Sequence, residues 1–106
     1  KYLNCSNINI KSIPNTLINL EILYCDSNYI SMIPETLIKL KELDCYDTNI
    51  NKLPHTLINL QSLNCIETNI KEENLILIIV VWRQNTPKSP SGNQGHLYDD
   101  KESQHI

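Results

Sequence analysis

The sequence predicts an α/β fold: a right-handed solenoid of short repeats, with a short parallel β-sheet on its concave face. Extended or polyproline-II segments and 3₁₀ turns form the convex side. Two observations predict this. Identical residues recur at a step of 20 through most of the chain. Each unit also pairs an apolar dipeptide of period 2 with a return stretch that a proline interrupts. Composition supports the reading. The 106 residues suit one domain, contain no Phe and no Ala, and draw their apolar volume from Ile and Leu.

The strands come first. Leu3, Leu23, Leu43 and Leu63 are each followed two residues later by Cys5, Cys25, Cys45 and Cys65. Residues two apart share a face of a strand, so Leu and Cys point inward and their neighbours outward. Ile10, Ile30, Ile50 and Ile70 follow, then Ile13, Ile33 and Leu53, before Pro14, Pro34 and Pro54. Each return is too short for a stable helix and is broken by its proline. It reads as an extended stretch ending in one 3₁₀ turn, which Thr16, Thr36 and Thr56 are placed to cap. Leu17, Leu37, Leu57 and Leu20, Leu40, Leu60 complete the core columns.

The column breaks after Ile70, where Glu73 replaces an apolar residue and Asn74 replaces proline. Leu75, Ile78 and Val81 keep a three-residue spacing, so Leu75 to Trp82 reads as a divergent last strand. The repeat domain is thus placed at 1–82, with about four repeats plus that strand. Residues 83–106 hold both glycines and few apolar residues, and read as a disordered polar tail. Thr86-Pro87 and Ser89-Pro90 match proline-directed phosphorylation dipeptides within it.

The unit L-x-x-L-x-C-x-x-[N/T]-x-I-x-x-[I/L]-P-x-T-L-I-x resembles the leucine-rich repeat, in its short 20-residue form. That form is familiar from giant amoeba-infecting viruses and from secreted bacterial effectors. The resemblance covers residues 1 to about 82. It implies that the position three after each cysteine should be an Asn bonding the backbone of neighbouring turns. Here that position holds Ile8, Asn28, Thr48 and Thr68, so Ile8 departs from the pattern. The resemblance also implies a non-catalytic module that binds protein along its concave face. Its alternative is the substrate-recognition segment of a larger effector enzyme, such as a ubiquitin ligase, whose catalytic domain lies outside this chain.

The residues themselves offer no enzyme chemistry. Four cysteines in a straight ladder cannot surround one zinc ion, and in-register strands aim their Cβ atoms alike, which suits a disulfide poorly. They read as buried small hydrophobes suited to a reducing compartment. His55, His96 and His105 accompany no recurring nucleophile, the repeats contain no Gly-rich phosphate loop, and Asn4-Cys5-Ser6 is a sequon inside a predicted strand. No cofactor or metal is expected. A formal charge of -3 argues against nucleic acid, and the longest apolar run is too short to span a bilayer. No signal-peptide pattern follows Lys1, so an intracellular location is expected, in the cytoplasm, including that of an infected host cell. The first unit opens short of its leading Leu, so self-association through an uncapped N-terminal edge is also expected.

The outward columns carry the functional expectation. They read Tyr2, Ile22, Glu42, Ser62; Asn4, Tyr24, Asp44, Asn64; Ser6, Asp26, Tyr46, Ile66; and Asn7, Ser27, Asp47, Glu67. Unlike the core columns they hardly repeat. Five of the sixteen residues are acidic and none is basic. The expected binding residues are Tyr24, Asp26, Glu42, Asp44, Tyr46, Asp47, Asn64 and Glu67, and the expected partner is a basic protein.

Overall fold

The structure is a computed structural model that describes residues 1–85 and 96–98. Its backbone is a small parallel sheet with little helix. Strands β1 (Tyr2–Asn4), β2 (Ile22–Tyr24), β3 (Glu42–Asp44) and β4 (Ser62–Asn64) lie side by side in sequence order. Leu3, Leu23, Leu43 and Leu63 are level across the sheet, so the 20-residue step of the sequence is the register of the strands. Pairing continues past the strand ends. The Cys5, Cys25 and Cys45 amides donate to the carbonyls of Tyr24, Asp44 and Asn64 at 2.8–2.9 Å.

The core lies behind the sheet. Leu23, Leu63, Ile30, Ile50, Leu40 and Leu60 have no solvent exposure, and Cys25, Cys45 and Cys65 are equally buried. The cysteines stack as a column of small apolar side chains, as expected. Burial pushes the Cys25 thiol up to about 12 and also raises Cys5 and Cys45. At the β1 end, Leu3, Ile10 and Leu17 are only partly buried.

After each strand the chain turns sharply at a left-handed residue. Asn7, Ser27, Asp47 and Glu67 have φ between 54° and 59°. None is glycine, although a left-handed residue with a Cβ costs roughly 1–2 kcal/mol. Asn and Asp tolerate this region best, so the strain falls mainly on Ser27 and Glu67.

The return segments close through i to i+3 bonds, arranged as two successive turns that share a leucine. In the second repeat Leu37 N–H donates to Pro34 O and Leu40 N–H to Leu37 O, both at 3.3 Å. The threonines do not cap these turns. Thr36 Oγ1 donates to Asn15 O at 2.6 Å and Thr56 Oγ1 to Glu35 O at 2.7 Å, each reaching into the preceding repeat. A cap needs a helical first turn with orphan amides, and none forms here. The hydroxyl instead satisfies a carbonyl one repeat away.

The segment after Ile70 is not a strand. Residues Glu72–Asn85 form α1. Proline cannot donate at positions 14, 34 and 54, but Asn74 N–H donates to Lys71 O at 3.1 Å. Leu75 N–H donates to the same oxygen at 3.2 Å and begins the helical ladder. Glu72 and Glu73 in the first turn favour the helix dipole. The three-residue spacing that suggested a strand also fits one face of a helix. Leu75 and Ile78 use it to enter the core at 2% and 3% exposure. No helix among the described residues is long and apolar enough to cross a membrane.

The stretch 83–106, expected to be a disordered tail, holds the last turn of α1 to Asn85 and a short strand. His96–Tyr98 form β5, parallel to β4, with Leu97 level with Leu63. The far edge of β4 offers unpaired backbone groups, and an x-Leu-x triplet of the same form as the other strands takes them. Residues 86–95 and 99–106, including both proline-directed dipeptides, lie outside the described residues.

Candidate functional site

The residues beside each inward leucine are partly or fully exposed, so the sheet presents one outward face. Its centre is Tyr24. Neighbours on one face of a sheet interact diagonally as well as directly, and Tyr24 does so on both sides. Its ring meets Tyr2 edge-on, with centroids 5.5 Å apart at 89°. Its hydroxyl donates to Glu42 Oε2 at 3.0 Å. That bond to a carboxylate raises the Tyr24 phenol above its ordinary value.

Tyr24, Glu42, Asp44 and Asn64, with Leu43 and Ser62, line a shallow open depression over β2, β3 and β4. Four of the eight expected binding residues therefore converge. The other four sit beyond the strand ends. Tyr46 is 40% exposed, Asp26 is half-buried, and Asp47 and Glu67 are exposed on the left-handed turns.

Several of these side chains also shape the fold. Asp44 Oδ1 accepts from Tyr46 N–H at 3.1 Å and Asn64 Oδ1 from Ile66 N–H at 3.2 Å. Asn4 does the same for Ser6 N–H at 3.1 Å. This column therefore fixes the turn after each strand through a side-chain acceptor, and Tyr24 is the member that is not a turn-maker. Asp26 accepts from the Ser6 hydroxyl one strand away. Burial raises the Asp44 carboxyl above the usual carboxylate range; the Tyr46 amide opposes the shift and the Asp26 charge adds to it.

Tyr2 and Ser62 belong to the site although they are not among the expected binding residues. Tyr2 was legible as a diagonal neighbour of Tyr24 once the step of 20 was read as register. Ser62 carries no comparable signal. Among the described residues, no group of three or more His, Cys, Asp or Glu is placed to hold a metal ion. The face offers carboxylates, phenol rings and amides. No protein-family model matches the chain, and a search of curated proteins finds no match.

Proposed function

We propose that the chain is a non-catalytic protein-interaction module of the leucine-rich repeat type, a right-handed solenoid whose concave face is the outward face of the sheet. The partner is a basic protein segment. One observation carries the reading: the strand-flanking columns change from repeat to repeat, with five carboxylates and no Lys or Arg in sixteen positions. Such a face attracts positive charge over distance, and the Tyr2–Tyr24 pair supplies rigid apolar area towards its β1 edge. The buried thiols accord with a reducing, cytoplasmic setting.

The test is a series of immobilised peptides of equal length and graded charge, probed with the full chain. Binding should rise with positive charge, weaken as salt is added, and fall with Tyr24→Ala. Equal binding of acidic and basic peptides, or none at all, would remove this reading.

A further inference from the structure

The outward column Asn4, Tyr24, Asp44, Asn64 follows one rule in three of its four members. Asn4, Asp44 and Asn64 each accept from the amide two residues on, that of Ser6, Tyr46 and Ile66, at 3.1–3.2 Å. Tyr24 breaks the rule, for its hydroxyl goes to Glu42. The Asp26 amide is thereby left without an acceptor among the described residues. The Asp26 carboxylate takes the Ser6 hydroxyl, one strand away. In the other three units an outward side chain reaches this amide, so in the second unit it opens on the outward face. A local rule broken without gain to the turn marks a place where function outweighs folding.

We propose that the Asp26 amide, with Tyr24 two residues before it, is the point at which the partner's main chain docks, the N–H donating to a carbonyl oxygen of an extended basic segment. This rests on the reading of the sheet face as a site for such a segment. Chemistry selects the atom. Lys and Arg side chains carry donors and no acceptor, so they suit the carboxylates of Glu42 and Asp44 but not an N–H. The acceptors of a basic segment are its main-chain carbonyls. Glu42 Oε2 is held by Tyr24 and Asp44 Oδ1 by Tyr46, which leaves the second oxygen of each for a cation. Carboxylates alone would hold a flexible cation at many places along the face. A single backbone donor in the second unit fixes where the segment sits, and an aromatic neighbour that sheds water strengthens its bond.

Amide hydrogen exchange followed by NMR on the full chain tests this, with an alternating Lys-Gly peptide as the probe. In the free chain the Asp26 amide should exchange faster than those of Tyr46 and Ile66. At saturating peptide it should slow by about tenfold, while Tyr46 and Ile66 stay as they were. Two substitutions divide the ring from the amide. Tyr24→Ala removes the ring and leaves the amide open. Tyr24→Asn removes the ring and restores the bond that Asn4 and Asn64 make, so it should bind the peptide about tenfold more weakly than Tyr24→Ala. Asn already stands twice in this column, so that variant suits the fold. Three results would overturn the proposal while the basic-segment reading stands: an Asp26 amide already as slow as its counterparts in the free chain, peptide binding that leaves its exchange unmoved, or equal affinities for the two variants. No peptide binding at all would remove both.

Discussion

The side-chain nitrogen of Asn28 donates to the carbonyl oxygen of Cys5, 23 residues earlier, at 2.8 Å. The same amide group donates to Cys25 O and Asp26 O, and its oxygen accepts from the amides of Ile8 and Ile10 at 3.2 and 3.1 Å. One side chain thus joins the first repeat to the second. Thr48 and Thr68 occupy the equivalent positions, and their hydroxyls donate to Cys45 O and Cys65 O within their own repeats. Asn28→Ala should therefore destabilise the fold by about 2–3 kcal/mol, since it strands several half-buried backbone groups. Thr48→Asn should raise stability by about 1 kcal/mol by extending the bridge to the next pair. Urea unfolding of both variants, monitored by circular dichroism, checks the pair.

The cysteine column makes stability depend on alkaline pH. The Cys25 thiol ionises near 12 in the folded chain against 9.0 in its ordinary state. The folded state then holds a proton that the unfolded state gives up. That contribution is complete below about pH 9 and is lost as the pH rises towards 12. Melting temperature should fall across this window, and less steeply in Cys25→Ala. In the native state near neutral pH, Cys25 and Cys45 should resist thiol reagents and react only after unfolding.

The phenol at the centre of the sheet face reports its own bond. Tyr24 should ionise above the ordinary tyrosine range in a pH titration followed by NMR, and Glu42→Gln should bring it down. An unchanged titration in that variant would mean that the contact to Glu42 is absent in solution.

Helix α1 enters the core through Leu75 and Ile78. Leu75→Ala should cost about 2–5 kcal/mol in urea unfolding, as buried leucine truncations do. Asn74→Pro should cost stability too, because it deletes the Asn74 N–H and the side-chain oxygen that accepts from Leu53 N–H at 2.8 Å.

The left-handed turns offer a gain. Ser27→Gly and Glu67→Gly remove a Cβ from φ near 57° and 59°. Each should raise stability by roughly 1 kcal/mol, read from the shift in denaturation midpoint.

Strand positions and their register were legible because Leu and Cys recur on a strict step, and a buried column tolerates little else. The outward face followed from the period of 2. The conformation of residues 72–85 was not legible, since a spacing of three serves both a repeat column and a helix face. The strand at His96–Tyr98 left a weak trace: Leu97-Tyr98 repeats Leu23-Tyr24. Composition around it, rich in Gly, Pro and Ser, outweighed that trace. The double role of Asp44 and Asn64 was hidden as well, because an acceptor that fixes a turn and one that meets a partner look the same in sequence.

The register of the sheet has a bearing on heredity. From β1 to β4 each strand meets the next through the same leucine and the same cysteine amide, so the backbone pairing is alike at all three junctions. A tandem duplication in the coding sequence that copies one unit whole inserts a turn that fits at once, and a deletion of one unit closes without a gap. A slip by any other number of codons throws every leucine off its column. Genes for such a chain can lengthen or shorten in whole units while the outward residues change one at a time.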